Sequence, residues 1–344
     1  MKKITNILTS TLFFAVLCGC TGTPKGQTVV YDLTCDDLVV RDPFVFADTA
    51  SGKYYIQANK GIFAPKPNKT NVAAYDGLYC YESRDLKHWR LVGKSFTPPK
   101  DWWGQKDFWA PDMFKVGNKY YILSTFSSLT KEVSWKFDGK TKMRACAALV
   151  ADKPEGPYKP VSDTPLTPED WMSLDGTLYE EDGKMYLIFC HEWVQVGNGE
   201  IVAVEISKDL SKPIGKPFVL FKASDAPWAR DLQWKPGGNF VTDAGVINRA
   251  EDGTLYMTWS SFANFGDKQK YVIGVAISDN GKLNGKWKHL PDPLNTDDGG
   301  HAMIFKTLCG KQKISYHAPN SVQFGEKTVI KNFKFENGKA VISE

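Results

Sequence analysis

The sequence has few cysteines, and their spacing excludes two common uses of this residue. Seven occur among 344 residues. Two of them, Cys18 and Cys20, lie in an N-terminal leader. The other five are Cys35, Cys80, Cys146, Cys190 and Cys309. An odd, scattered set without a Cys-x-x-Cys motif argues against a disulfide framework and against a cysteine metal site. We expect these thiols to be free and buried.

The chain also lacks a strong excess of one charge and has almost no helical periodicity. Its formal net charge is +4, and removal of Lys2 and Lys3 with the leader lowers this to +2. A charge so near zero gives no electrostatic reason to expect nucleic acid or an acidic polymer as a partner. Because segments with apolar residues at helical spacing are nearly absent, we expect an all-β protein.

The N-terminal apolar run is too short to cross a membrane. Lys2 and Lys3 precede this run at residues 7–17, a pattern typical of a signal peptide. Leu17-Cys18-Gly19-Cys20 then resembles a bacterial lipobox, with Cys20 as the lipidated residue after cleavage. We predict export and anchoring by lipid to a bacterial membrane, facing the periplasm or the cell surface, with the lipid as the only membrane contact. Ordinary secretion and a retained anchor are the alternatives.

One pattern recurs five times in the rest of the chain. Each copy opens on an acidic or polar residue, continues as an apolar strand, turns at a glycine and returns as a strand rich in tyrosine and aliphatic residues. The copies are anchored on Asp42, Asp112, Asp175, Asp243 and Asp298, at intervals of 70, 63, 68 and 55 residues. Most copies are followed by further short apolar runs, which makes four strands per unit. This repeat predicts a five-bladed β-propeller with four-stranded antiparallel blades.

The chain therefore divides into three predicted segments. Residues 1–19 form the signal peptide, residues 20–28 are small and polar and form a tether, and residues 29–344 form a single propeller domain. A β-branched and aromatic run at residues 29–31 is predicted to form a strand. We expect it to pair with the last blade near residues 328–335 and so close the ring.

The third copy brings two carboxylates to one rim. Glu181-Asp182-Gly183-Lys184 has the composition of a tight hairpin turn, so the strands on either side start and finish together. Asp175 before the first strand and Glu192 after the second are then expected near one another. Paired carboxylates are the catalytic groups of glycoside hydrolysis. The aromatic content of 13%, with 11 Trp, is common where sugar rings are stacked.

Four motifs resemble those of one enzyme family in their expected blades. They are Arg41-Asp42-Pro43, Trp109-Ala110-Pro111-Asp112, Leu174-Asp175-Gly176 and Gly299-Gly300-His301. Together they resemble the five-bladed propeller glycosidases of glycoside hydrolase family 43, from about Arg41 to the C-terminus. The resemblance implies an inverting hydrolase that acts on arabinofuranosides or xylosides of plant polysaccharides or oligosaccharides.

The resemblance also implies catalytic roles. Asp42 matches the general base, and Asp175 matches the acid that orients its neighbours and tunes the proton donor. The donor in much of the family is a Glu followed by Gly-Pro in the fourth blade, whereas this chain has Asp243-Ala244-Gly245. Because Asp is one methylene shorter, we favour Glu192 as the donor and keep Asp243 as the alternative. Inversion needs about 6.5 to 9.5 Å between base and donor to admit a water.

Other residues are candidates for binding. Trp109 and Trp193 are expected to contact sugar, while Trp234 and Trp259 are more typical of core. Asp112 is structural or contacts substrate, and His317 ends a strand at the same rim. The resemblance places His301 in the central channel, where it either helps to hold a calcium ion through water or is a hydrogen-bonded buried side chain.

The sequence thus predicts an enzyme that removes arabinofuranosyl units, or with less support xylosyl units, from plant glycans. The chemistry requires no cofactor, and a structural calcium ion is the one metal that the resemblance implies. A noncatalytic carbohydrate-binding propeller is the alternative, because Asp243 departs from the usual donor. His191-Glu192 does not form a zinc motif, since no second His follows at the needed spacing.

Overall fold

Five antiparallel sheets account for nearly all of the regular structure. The computed structural model describes residues 30–59, 76–136, 139–232, 237–321 and 325–344. Every strand belongs to the unit Tyr31–Glu344. The leader and tether at residues 1–28 lie outside the described ranges and stay predictions. Within those ranges, no helix has the length and apolar character needed to span a lipid bilayer.

Each sheet is a meander of strands that follow one another in the chain. The first comprises β2 (Val45–Asp48), β3 (Lys53–Ala58), β4 (Leu78–Ser83) and β5 (His88–Phe96), with β1 (Leu33–Thr34) paired outside β5. The second comprises β6 (Gly104–Val116), β7 (Lys119–Ser134), β8 (Lys140–Ala151) and β9 (Lys159–Pro160). The third comprises β10 (Ser173–Glu181), β11 (Lys184–His191), β12 (Glu200–Ile206) and β13 (Phe218–Lys222).

The last two sheets have the same plan. The fourth comprises β14 (Asp243–Arg249), β15 (Leu255–Phe265), β16 (Lys268–Ser278) and β17 (Trp287–His289). The fifth comprises β18 (Gly300–Lys306), β19 (Gln312–Ala318), β20 (Lys327–Glu336) and β21 (Lys339–Ser343). Two short helices follow strands of the third sheet, α1 (Trp193–Val196) and a 3-10 turn at Ala223–Asp225.

The five sheets form a closed ring. The first strand of each sheet, namely β2, β6, β10, β14 and β18, contacts the first strand of the next sheet, and β18 contacts β2. Apolar side chains fill the spaces between neighbouring sheets. For example, Tyr256 of the fourth sheet stacks on Phe335 of the fifth with ring centroids 4.0 Å apart. The predicted five-bladed propeller is therefore confirmed.

The predicted hairpin of the third blade is also present. Glu181 pairs with Lys184, and the two residues between them, Asp182 and Gly183, have φ of 52° and 74°. Positive φ at both positions is the geometry of a type I′ turn, which matches the twist of the flanking strands.

The prediction for ring closure is wrong. Val29 lies outside the described residues, and Val30 and Tyr31 are not in a strand. The segment that follows makes the closing contacts instead. The backbone N–H of Thr328 on β20 donates to the carbonyl of Leu38 at 3.2 Å, and Lys327 pairs with Asp36 at 3.0 Å. The last blade therefore keeps four strands of its own and is tied to the first by single contacts.

The five cysteines within the described ranges are free, as predicted, but only three of them are buried. These are Cys80, Cys146 and Cys190. Cys35 is half-buried, and Cys309 is exposed on the turn between β18 and β19. The expectation of burial is therefore wrong for Cys309.

One histidine is packed among aromatic rings at the junction of the third and fourth blades. The ring centroid of His289 lies 4.7 Å from that of Phe221 and 5.3 Å from that of Trp259. Neither ring nitrogen has a hydrogen-bond partner in the described part of the chain. Burial lowers the pKa of His289 to about 4, although the charge of Asp225 opposes this shift.

We expect His289 to make the protein less stable in mild acid. The unfolded chain binds this proton below about pH 6.5, whereas the folded protein binds it only below about pH 4, so the free energy of unfolding should fall by about 3 kcal/mol between those values. Urea unfolding from pH 4 to pH 7 measures this. His289→Phe should lose that part of the pH dependence, and His88→Gln, at an exposed pair with Asp85, should keep it. Equal pH dependence in wild type and His289→Phe would contradict the prediction.

Candidate active site

The first strand of each blade has an irregularity at one end of the channel. One residue there has a left-handed backbone although it is not glycine. These residues are Asp42, Ala110, Asp175, Ala244 and His301, with φ of 59°, 46°, 57°, 53° and 56°. In blades two to five the strand register shifts at this residue, which defines a β-bulge. Bulges redirect side chains at the edges of sheets, and here they turn Asp175 and His301 toward one mouth of the channel, where Asp42 also lies.

A cavity of about 730 Å³ lies at this mouth. Its wall contains the four carboxylates that the sequence singles out, which are Asp42, Asp175, Glu192 and Asp243. Trp109, Trp193 and His301 also line it. Residues from all five blades thus meet at one site, which is what the ring predicts for side chains far apart in the chain.

Asp42 is held as a carboxylate by two histidines. Its Oδ1 lies 3.1 Å from His301 Nδ1 and 3.3 Å from His317 Nδ1. Burial alone would raise the pKa of Asp42, but these two partners hold it well below its usual range. Asp42 is therefore ionised at neutral pH.

His301 carries the balancing positive charge. Burial would lower its pKa, but Asp42, Asp175 and Asp112 surround the ring and raise the pKa to about 10. The ring is 8% exposed, and its Nδ1 also lies 3.7 Å from Asp175 Oδ2. An imidazolium at this point favours the ionised form of whichever carboxyl group lies nearest, which is Asp42.

The pKa of Asp175 is shifted in the opposite direction to that of Asp42. Burial and the charges of Asp243 and Asp42 raise its pKa well above the usual range, against the effect of His301. Its position is fixed by two hydrogen bonds, because its backbone N–H donates to Thr125 Oγ1 at 2.8 Å and its Oδ2 accepts from the N–H of Ala244 at 3.1 Å. Asp175 therefore links the second, third and fourth blades.

Asp243 precedes the bulge of the fourth blade and is half-buried. Burial raises its pKa to about 6, and the charges of Asp42 and Glu192 add to this. Two effects oppose the shift, the charge of His301 and a hydrogen bond from the hydroxyl of Tyr271, which donates to Asp243 Oδ2 at 2.8 Å. A carboxyl group with this pKa is partly protonated near neutrality.

Glu192 is paired with an arginine from the neighbouring blade. Arg144 on β8 places its Nη1 2.7 Å from Glu192 Oε1 and 2.5 Å from Oε2. The same guanidinium lies over the ring of Trp109, with its carbon 4.3 Å from the ring centroid. Glu192 is 6% exposed, so this ion pair is largely shielded from water. The arginine therefore occupies both carboxylate oxygens of Glu192.

Several predicted residues lie elsewhere. His317 is fully buried beneath Asp42 and Asp112 is 5% exposed, and neither lines the cavity. Burial raises the pKa of Asp112 to about 7, although the charge of His301 opposes this. Trp259 is fully buried in the core, and Trp234 lies outside the described residues. Asp298, the anchor of the fifth copy, accepts backbone hydrogen bonds from Tyr271 and Ser321.

The calcium site stays a prediction. Across the five described ranges, no three His, Cys, Asp or Glu side chains are arranged to hold a metal ion. His301 directs its Nδ1 to Asp42, and its raised pKa makes it a cation rather than a ligand. The described residues therefore do not fit a metal held directly by His301.

Several residues of the site are not among those predicted from the sequence. The cavity is also lined by Tyr271, Phe262, Arg41, Lys106 and Glu326. Arg144 does not line it but binds Glu192, which does. One feature of the sequence could have identified Arg144, which is a charged residue within the largely apolar part of β8. Tyr271 offered no such feature, since tyrosine is common in the strands of this chain.

A five-bladed propeller with carboxylates of different ionisation at the mouth of its channel belongs to the class of propeller glycoside hydrolases. The sequence model described as glycosyl hydrolases family 43 matches residues 38–340. The chain belongs to this family, as its motifs predict.

Individual relatives agree with this assignment. The crystal structure of endo-arabinase from Bacteroides thetaiotaomicron VPI-5482 is 39% identical, with a TM-score of 0.78 over 90% of this chain and 100% of that one. Beta-xylosidase of Bacillus subtilis strain 168 is 27% identical over 243 residues, which are 68% of this chain and 42% of that protein. Alpha-L-arabinofuranosidase B of Pyricularia oryzae is 24% identical over 191 residues, 54% of this chain and 36% of that protein. The chain spans less than half the length of these last two relatives.

The pair of Arg144 and Glu192 makes a stability prediction. Arg144→Met keeps much of the side-chain volume but leaves a buried glutamate without its cation, so we expect a loss of about 3 kcal/mol in the free energy of unfolding. Lys142→Met removes an exposed pair with Glu132 from the same strand and should cost less than about 1 kcal/mol. Denaturant unfolding compares the two. Addition of Glu192→Gln to Arg144→Met should recover part of the loss, and equal losses in the two single variants would contradict the prediction.

Proposed function

We propose that this protein is an inverting glycoside hydrolase that releases arabinofuranosyl residues from plant glycans. The observation that carries the proposal is one cavity with an ionised Asp42 and a partly protonated Asp243. General acid and base groups must differ in this way if both are to act at the same pH. The 39% identical relative is an endo-arabinase, which supports an arabinose polymer or oligomer as substrate. The β-xylosidase keeps xylosides as the second candidate.

The chain's residues then divide the reaction between them. Asp42 accepts a proton from a water molecule, whose oxygen adds to the anomeric carbon. The bond from that carbon to the leaving oxygen breaks, and a protonated carboxyl group gives its proton to that oxygen. Asp175 holds the donor's strand in place, because its Oδ2 accepts a hydrogen bond from the N–H of Ala244.

We propose Asp243 as the donor, which reverses the order of preference drawn from the sequence. Glu192 is held by Arg144 through both oxygens, so neither oxygen is free to approach the leaving oxygen of the sugar. Asp243 has the raised pKa that a donor needs, and Glu192 contributes to it. In this assignment, Glu192 supplies negative charge and Arg144 fixes that charge in place.

Turnover by a set of matched variants tests the proposal. The substrates are arabino-oligosaccharides, an aryl α-L-arabinofuranoside and an aryl β-D-xyloside. We expect Asp42→Asn and Asp243→Asn to lower kcat by about 10² to 10⁴ on the oligosaccharides, because each removes a proton-transfer group. Glu192→Gln should lose less, and Asp182→Asn, in the exposed turn after β10, should match wild type.

Two outcomes would change the assignment. If wild type binds these sugars but turns over none of them, the protein is a carbohydrate-binding propeller. If Glu192→Gln abolishes turnover and Asp243→Asn does not, the donor is Glu192.

The pH dependence of the reaction follows from the same assignment. The donor must be protonated, so kcat/KM on arabino-oligosaccharides should fall as the pH rises through about 6, the pKa of Asp243. Asp42 has a pKa well below its usual range, so the loss on the acid side should come only at low pH. Initial rates from pH 3 to pH 9 measure both limbs. A rate that stays constant up to pH 8 would contradict the role of Asp243.

A further inference from the structure

Tyr271 on β16 is the one residue whose hydroxyl group contacts Asp243 in the described part of the chain. It donates to Asp243 Oδ2 at 2.8 Å. The side chain is 2% exposed, and its ring also forms part of the cavity wall. The phenol is therefore a hydrogen-bond donor to the proposed acid from inside the protein.

The ring of Tyr271 is held on several sides. A Cβ at Gly300 would lie 2.2 Å from the ring, so the glycine is required for this close approach. The ring stacks on His317 at 5.8 Å and 19°, and packs on Phe262 at 5.2 Å. Its backbone N–H donates to Asp298 Oδ1 at 3.0 Å. Because both ring and backbone are constrained, the hydroxyl group has a fixed position relative to Asp243.

A carboxyl oxygen that accepts this hydrogen bond is the less favourable place for the acidic proton. We propose that Tyr271 is a positioning residue, which keeps the transferable proton on Asp243 Oδ1 and stabilises Oδ2 as the carboxylate forms. This inference rests on the proposed function. When Oδ1 gives its proton to the leaving oxygen, the electron pair of the glycosidic bond stays on that oxygen, and the new negative charge on Asp243 is shared with the oxygen that faces Tyr271.

The groups around Asp243 act in different directions. The hydroxyl of Tyr271 and the charge of His301 lower its pKa, whereas Asp42 and Glu192 raise it. Asp175 interacts with the same group through its own carboxyl. Burial raises the pKa of Tyr271 well above its usual range, so the phenol is neutral at neutral pH and its removal changes a hydrogen bond without removing a charge from the cavity.

Tyr271→Phe tests this inference through the leaving group. Proton donation matters most when the leaving group is a poor one, so we expect kcat to fall about 10-fold on an arabino-oligosaccharide and less than about 3-fold on a 2,4-dinitrophenyl arabinofuranoside. The basic limb of kcat/KM should move up by about one pH unit, because a hydrogen bond to the charged form is lost. Replacement of Tyr271 by 3-fluorotyrosine, a stronger donor that keeps the ring, should move it down.

Tyr316→Phe is the matched control. Tyr316 is buried, and its hydroxyl donates to the carboxylate of Asp297 at the same distance of 2.8 Å, away from the cavity. It should leave the leaving-group dependence and the pH profile unchanged. Equal losses on both substrates by Tyr271→Phe, with an unmoved basic limb, would overturn the inference. Asp243→Asn, measured in parallel, distinguishes a wrong role for Tyr271 from a wrong donor, because a lack of leaving-group dependence in that variant would refute the donor assignment itself.

Discussion

The imidazolium of His301 is the interaction on which the site depends. Three buried or half-buried carboxyl groups, Asp42, Asp112 and Asp175, surround this one ring, and an ionised Asp42 in this position would be strongly unfavourable without a cation. The histidine comes from the fifth blade and Asp42 from the first, so the pair forms only when the ring is closed. Closure therefore does more than bury apolar surface, because it also assembles the charge balance at the mouth of the channel. The energetic cost of gathering acids in one cavity is offset by a partner from the opposite end of the chain.

Similar chemical groups acquire different properties from their surroundings. Asp42 lies beside two histidines and is ionised. Asp243 lies near Asp42 and Glu192, accepts a hydrogen bond from Tyr271 and is partly protonated. Glu192 is paired with Arg144. The bulges make these differences available, since a regular strand would direct alternate side chains to its two faces and not toward the channel mouth. The left-handed residues at five equivalent positions mark where the protein stores backbone strain for this purpose.

Much of the fold followed from the sequence, and less of the site did. Apolar alternation and glycine turns report on local strands, and the third hairpin, with Asp182 and Gly183 at its turn, was predictable for that reason. The repeat anchors Asp112, Asp243 and Asp298 were not structurally equivalent to Asp42, because the bulges occupy neighbouring positions that differ in residue type. The pair of Arg144 and Glu192 joins two blades across 48 residues, and no local pattern identifies such a contact. The preference for Glu192 as donor rested on its place at the rim and could not include that partner.

The way in which the ring closes has a consequence for its motions. Connecting segments of the chain cross four of the five junctions between blades, whereas the junction between the fifth and first blades is joined by side chains and single hydrogen bonds such as that of Thr328 with Leu38. Because no connecting segment crosses it, this junction is where we expect local opening of the ring. Since Asp42 and His301 face each other across it, a small parting there would disconnect the proposed base from its cation while the rest of the barrel of blades stayed intact. The contact between the proposed base and its cation therefore lies at the junction that is closed without a connecting segment.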